Sequence, residues 1–457
     1  MRTVLGSPRE DPWDQDERAE GSSLHQCPSC NPLVSGAFIG GLAYDPWTLA
    51  HGRDSSPMTT TYLLVLGASV GFVLYTYLGY PALLKLVSMF KSGWSPPPPP
   101  NEWPRVSITV PAFNEEATIR GTIESLLHLD YPPERRQILI VSDASTDRTD
   151  DVVQEYAERG VELFRVSVRS GKTAAENGAR GRLNGDIIVN TDASVRVHPG
   201  AIKALISCFE DPRVGVASGR DVSTAAEDES VNLGEKGYVG YEMWVRALET
   251  RVQSIVQASG CLYAVRSEVH DREFPEHLTR DYGAVALARK AGLRSVSVDS
   301  ALCYVPRQRS LRKEYRRKVR TMTRGLKTVW HLRGLLNPLR YGLYSWMVFS
   351  HKLCRWLVPV ALVMGAAAVF GLATVDSRVL PLVVAAALVS LLATGGWLWP
   401  EGRSTPRILS VPAYLVVANL AALHAWLNLL RRTGSAAWSP TRREPIGGSK
   451  EARGSLG

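Results

Sequence analysis

The sequence predicts an α/β domain with a mostly parallel sheet, held between about four membrane-spanning helices. Two observations carry this expectation. Residues 106–305 alternate short apolar runs rich in Val and Ile with stretches of helical composition, the pattern of repeated strand and helix units. Around them lie four apolar runs, 63–89, 357–375, 379–399 and 408–430, each about as long as the roughly 20 residues that a bilayer core requires.

The chain divides accordingly. Residues 1–57 are polar, rich in Gly, Pro, Asp and Ser, and without periodicity, so they are expected to be disordered. Met58 directly precedes the first apolar run, and residues 1–57 are expected to be dispensable. A first spanning helix is expected over 58–92, with Tyr75, Tyr77 and Tyr80 as interfacial anchors and with Lys85 and Lys91 keeping the following chain cytoplasmic. Residues 93–104 form a linker stiffened by the proline run 96–100. The α/β domain is expected over 105–308, basic interfacial helices over 309–355, further spanning helices over 356–432 and a disordered tail over 433–457.

Inside the domain, Val106-Ser-Ile-Thr-Val110 reads as the first strand, and Asn114 as the N-cap of a helix through Leu127 with Glu115 and Glu116 in its first turn. Residues 138–142 give a second strand, followed by a helix to about Arg159. A strand over 161–166 leads through Arg169-Ser-Gly-Lys172 into a helix reaching Leu183. Strands at 187–190, 214–218 and 261–265, a long helix over 235–256 and a helix from Thr279 through Ala291 complete the reading. Tyr238, Tyr241 and Trp244 fall at helical spacing, as core or membrane-interface residues do.

The net charge of +9 is concentrated in residues 307–333, where Lys and Arg face one acid, Glu314. Beside an apolar run, such a cluster suits a membrane surface or a bound phosphate, and residues 310–329 read as an amphipathic interfacial helix. No nucleic-acid recognition motif accompanies the charge, so nucleic acid is not an expected partner. Of six cysteines, Cys27 and Cys30 have metal or redox spacing but no partner pair, and the other four fall in apolar surroundings as packed thiols of a reducing compartment. His351 has no second His at ligand spacing and is not expected to bind metal.

The chemistry centres on Gly185-Asp-Ile-Ile-Val-Asn-Thr-Asp-Ala-Ser194. A buried strand delivers Asp192 to its carboxyl end, where open α/β sheets bind ligands. A second unit of the same design, Gln137-Ile-Leu-Ile-Val-Ser-Asp143, offers another carboxylate. Two such strands point to a metal and nucleotide site.

The run from Val106 to Glu116, then Val141-Ser-Asp-Ala-Ser-Thr-Asp147, Gly171-Lys172 and Thr191-Asp-Ala193, resembles family 2 inverting glycosyltransferases. The flanking helices resemble its membrane-embedded branch of cellulose, hyaluronan and poly-N-acetylglucosamine synthases. The resemblance implies a GT-A-like, Rossmann-like domain acting at the cytoplasmic face of the cell membrane, with Mg²⁺ or Mn²⁺ and a nucleotide-diphosphate sugar, a UDP-sugar, as donor. It implies that Ala112 and Glu115 lie by the ribose and base, that Asp143 bonds the base edge, that Lys172 approaches the diphosphate, and that Asp192 binds it through the metal. The family has Asp-x-Asp where this chain has Asp192-Ala-Ser194, so Ser194 is left as the second metal ligand. Thr279-Arg-Asp281 matches the family's Thr-Glu-Asp, which implies Asp281 as the base that deprotonates the acceptor. Ser259-Gly-Cys261 falls where the family keeps a small-residue turn near the acceptor. The family's Gln-x-x-Arg-Trp is absent. Its counterpart is Tyr315 to Gly325, where Arg316, Arg317 and Arg320 would grip diphosphate or acceptor without a Trp for sugar stacking.

The acceptor stays open between a glycan, lengthened once or repeatedly, and a membrane lipid such as a polyprenyl phosphate. A non-catalytic membrane scaffold or nucleotide sensor is the reading from outside enzymes, and an export partner is unknown. Three spans after a cytoplasmic domain put the C-terminus outside, whereas Arg431, Arg432, Arg442 and Arg443 favour inside; the two rules oppose each other here.

Overall fold

The computed structural model describes residues 57–91, 93–224, 233–306, 310–400 and 405–431. Both terminal segments expected to be disordered, apart from Pro57, lie outside the described residues, as do Cys27, Cys30, Arg432, Arg442 and Arg443.

Eight strands form one sheet: β1 (Val106–Ala112), β2 (Arg136–Ser142), β3 (Val161–Arg165), β4 (Ile187–Thr191), β5 (Arg196–Val197), β6 (Val214–Ser223), β7 (Leu262–Arg266) and β8 (Arg294–Val305). Their order is β3-β2-β1-β4-β7-β6-β8-β5. Strands β3, β2, β1 and β4 are mutually parallel, β6 and β8 are parallel, and β7 runs antiparallel between β4 and β6. The chain leaves β1 for β2 on one side and returns to β4 on the other. That reversal opens a crevice at the carboxyl ends of β1 and β4.

Both faces of the sheet are covered, which is why its strands read as unbroken apolar runs. Ile138 and Ile140 of β2 join a core with Ile119 and Ile123 of α2 (Ile119–Leu127) and Val152 of α3 (Thr149–Gln154), while the intervening Leu139 and Val141 meet Ala175 and Ala179 of α4 (Lys172–Ala179) on the opposite face. Gly185 opens β4 against the start of β1. A Cβ there would lie 2.4 Å from the Ser107 backbone nitrogen, closer than any real contact. Gly185→Ala is expected to cost about 1–3 kcal/mol or more, because backbone and not a side chain must yield. Thermal denaturation checks this; an unchanged Tm would show that β1 and β4 shift apart freely.

Two local expectations change. Asn114 is not an N-cap: its φ is 54°, and the helix starts only at Ile119, with Thr118 in the cap position. Its amide is used elsewhere, accepting from the Thr146 backbone N–H at 2.8 Å and donating to Thr146 Oγ1 at 3.1 Å, and Asn tolerates the left-handed region. Strand β8 has no counterpart in the sequence reading, because the exposed Asp299 and Ser300 interrupt its apolar pattern where its pairing with β6 shifts register.

Among the described residues, four helices are long and apolar enough to cross a membrane: α1 (Pro57–Met89), then, after the sheet domain, Leu343–Ala373, Ser377–Leu398 and Arg407–Leu430. The second of these begins at Leu343 and runs through the polar residues His351, Lys352 and Arg355, where a hydropathy reading ends the interfacial segment. His351 and Arg355 find carboxylate partners on α6 (Leu233–Val252), the helix that follows α5 (Ala201–Ser207), which lets the spanning helix continue. Glu249 of α6 accepts from Tyr80 of α1 at 2.7 Å and pairs with His351 Nδ1, while Glu242 pairs with His351 Nε2 at 2.9 Å and with Arg355. His351, bonded to a carboxylate through each ring nitrogen, therefore ties a spanning helix to the sheet domain. The side chain of Tyr238 lies outside what is described; Tyr241 reaches the Tyr77 carbonyl at 2.8 Å, and Trp244 is half exposed.

Candidate active site

Carboxyl ends of the central strands converge on one cavity of about 310 Å³. From β4 come Asp192 and Ser194, from the turn after β1 Glu115, from the start of α4 Lys172, and from α7 (Arg280–Lys290) Asp281. Helix α8 (Leu311–His331) closes it with Arg317, Arg320, Thr321 and Arg324. Those four positions follow one helical stripe, which leaves Arg316 exposed on another side and out of the lining.

Lys172 donates to Asp192 Oδ1 at 2.6 Å and lies 3.5 Å from the Gly260 carbonyl. Burial disfavours its charge, but Asp192, Glu176 and Asp281 outweigh that and raise the ammonium above its ordinary range. Asp281 accepts from the Gln257 side chain at 2.7 Å, which fixes the orientation of the carboxylate. Gly260 sits beside both groups, since a Cβ built on it would be 3.7 Å from Asp281 Oδ2. The small-residue turn over 259–261 therefore forms part of the floor, and Cys261 lines the cavity while also packing against the core.

Asp143 and Ala112 lie beneath the site and do not line it. Asp143 is buried and accepts from the backbone N–H groups of Ser170 at 2.8 Å and Gly171 at 2.9 Å, and its own N–H donates to the Ala112 carbonyl at 2.8 Å. It thereby anchors the loop that presents Lys172. Gly171, with φ 97°, makes the turn that a side chain would strain. Glu115 accepts from Thr118 Oγ1 at 2.6 Å with its carboxylate held at the cavity edge.

Sequence reading missed Asp221, Gln257, Tyr263 and Glu176. Asp221 stands near the end of β6, held by Ser259 Oγ at 2.6 Å, and follows the same strand-then-acid pattern that identified Asp192. Glu176 is 1% exposed, and neither carboxylate oxygen has a hydrogen-bond partner. Burial raises its carboxyl above the ordinary range against the lowering pull of Lys172 and Arg280. An acid raised in the fold costs stability because the unfolded chain ionises first, so the cost is absent below the unfolded value, grows as pH rises from there, and is complete above the folded one. Glu176→Gln is expected to raise Tm in neutral buffer and to leave it unchanged at pH 4. Melting curves of the two proteins that stay parallel from pH 4 to 8 would overturn this.

Residues 107–262 match the family model described as glycosyl transferase family 2. That stretch is a family 2 glycosyltransferase domain. It holds Asp143, Lys172 and Asp192, whereas Asp281 and α8 follow it. A probable glycosyltransferase of Bacillus subtilis, YdaM, is 34% identical over 125 residues, covering 26% of this chain and 30% of that protein. A beta-monoglucosyldiacylglycerol synthase of Synechocystis is 34% identical over 145 residues, 31% of this chain and 29% of that one. A hyaluronan synthase of Streptococcus pyogenes is 29% identical over 178 residues, 36% and 41% of the two chains. The chain thus spans less than half the length of these curated relatives. Among solved structures, a mannosyltransferase from Pyrobaculum calidifontis, in complex with GDP-Man and Mn²⁺, superposes with a TM-score of 0.64 at 21% identity, over 82% of this chain and 100% of that one. The likeness is one of fold, and the GT-A-like, mostly parallel sheet expected from the motifs is the fold found.

Proposed function

We propose that the chain is a membrane-bound inverting glycosyltransferase that moves a sugar from a nucleotide-diphosphate sugar to a glycan or lipid-linked acceptor at the cytoplasmic face. One observation carries this reading: a single cavity gathers the Lys172–Asp192 pair, Asp281 and the cations of α8, groups from three separate parts of the chain. Inversion needs a base on the acceptor side and positive charge on the leaving diphosphate, and the two sets stand in one space.

Asp281, oriented by Gln257, takes the proton from the acceptor hydroxyl as that oxygen attacks the anomeric carbon. Lys172, Arg317 and Arg320 receive the charge that develops on the diphosphate. Arg324 holds the loop before α7 in place, donating to the Leu278 carbonyl at 2.9 Å. The donor set for a divalent cation is one of hard oxygens, the Asp192 carboxylate and the Ser194 hydroxyl. Among the described residues no trio of His, Cys, Asp or Glu is grouped to hold a metal. That set fits Mg²⁺ or Mn²⁺ bound with substrate phosphates completing the shell, not a cage made by protein alone. When bound, the ion neutralises the diphosphate. The Mn²⁺ bound to the Pyrobaculum mannosyltransferase supports this, and its GDP-Man makes GDP-sugars as well as UDP-sugars donors to test.

Transfer of one sugar to a lipid is favoured over repeated extension by the cavity wall, where Tyr263 is the single aromatic side chain and α8 contributes none. The test is a screen of nucleotide sugars with the detergent-solubilised protein, with and without metal, followed by product sizing. A single organic-soluble product supports the lipid acceptor and a ladder supports polymerisation. No metal-dependent transfer or hydrolysis with any donor would return the chain to the scaffold or nucleotide-sensor reading.

A further inference from the structure

A second cavity, of about 490 Å³, lies away from the catalytic one, beside the last residue of the first apolar helix. Its wall carries Lys91, Arg213, Arg251, Arg289 and Arg294, and no acidic residue lines it. Arg213 is paired with Asp211 at 2.9 Å, so its charge is compensated. The other four have no salt bridge among the described residues. Arg251 and Arg289 stand in the last turns of their helices, where a cation offsets the helix dipole, but the groove gathers more charge than two helix ends use. Arg289 and Arg294 are tethered by the Tyr344 and Trp94 rings at 5.3 and 5.5 Å, and each keeps a buried Nε with no hydrogen-bond partner. Such orphaned donors call for an acceptor.

Position identifies the acceptor. Met89 and Phe90, at the rim, are 73% and 82% exposed and directly continue the α1 apolar surface. A ligand here meets cations on one side and an exposed apolar edge on the other. We propose that this groove binds the phosphate headgroup of an anionic phospholipid, with Lys91 and Arg251 at the mouth, Arg289 and Arg294 inside, and the acyl chains against Met89 and Phe90. A zwitterionic headgroup would bring its own ammonium among four cations that have no salt bridge and is disfavoured. The inference rests on α1 lying in a bilayer, which alkaline extraction of membranes tests separately.

The experiment titrates the full chain in detergent with phosphatidylglycerol, phosphatidylcholine or inorganic phosphate, reading bound lipid by native mass spectrometry. Phosphatidylglycerol is expected to bind at least tenfold more tightly than phosphatidylcholine. Each mouth charge near a lipid surface contributes about fivefold, so the double variant Lys91→Gln with Arg251→Gln should lose roughly 25-fold for phosphatidylglycerol and nothing for phosphatidylcholine. Both side chains are exposed, and melting of the variant with the parent's Tm confirms an intact fold; Arg251→Gln alone, with about a fivefold loss, is the second variant. Equal affinity for the two lipids, or an unaltered affinity in the variants, overturns the proposal. Displacement of the lipid by equimolar phosphate overturns it too, since the site would then serve a soluble anion.

Discussion

Asp281→Asn is expected to lower sugar transfer by roughly 10²–10⁴-fold while nucleotide-sugar affinity stays within a few-fold of the parent. The amide keeps the volume and still meets Gln257 through its oxygen, so the 2.7 Å contact that orients residue 281 survives. What disappears is the ability to take a proton. The donor contacts proposed above, Lys172, Asp192 and the α8 arginines, are separate from the Gln257 bond that orients Asp281. A binding titration beside a single-turnover transfer assay separates the two effects. Transfer undiminished in the variant would remove Asp281 as the base, and lost binding would make it a donor ligand.

Asp192→Asn is expected to act on the other half of the reaction. Replacing the carboxylate removes the charged oxygen that faces Lys172 at 2.6 Å and that would face the cation. Mn²⁺ binding in the presence of nucleoside diphosphate, read by electron paramagnetic resonance, should weaken at least tenfold, and transfer should fall by roughly 10²–10³-fold as the developing charge on the leaving group loses its stabilisation. Ser194→Ala should cost much less if the carboxylate carries the metal. Unchanged Mn²⁺ affinity in Asp192→Asn would place the ion elsewhere, with Asp221, another carboxylate of the same cavity wall, the next to examine.

Much of this was legible in the chain itself. Strands β1, β2, β3 and β4 bury both faces, so their apolar runs are continuous, and any acid that follows them sits at the sheet's carboxyl edge. That rule found Asp192 and Asp143, although for Asp143 it told only the edge and not the partners, which are backbone N–H groups of the Lys172 loop. The four apolar helices were equally plain, because a bilayer-length run without charge has few alternatives. Asn114 misled because its capping chemistry is local, while the Thr146 groups that recruit it arrive from another strand end.

What the sequence by itself determined is therefore what short-range physics dictates: the strand and helix periods, the apolar lengths, and the carboxylates and lysine carried at strand and helix ends. Which groups meet was decided by the tertiary structure. Antiparallel insertion of β7 between β4 and β6 puts Asp221 and Tyr263 on the wall shared with Asp192, and packing of α8 over the sheet's edge selects Arg317, Arg320 and Arg324 while turning Arg316 away. Glu176 is the clearest case. In sequence it is an ordinary helix acid; only the packed interior strips its water and leaves both oxygens unpaired beside Lys172 and Arg280, because desolvation belongs to the fold and not to the residue.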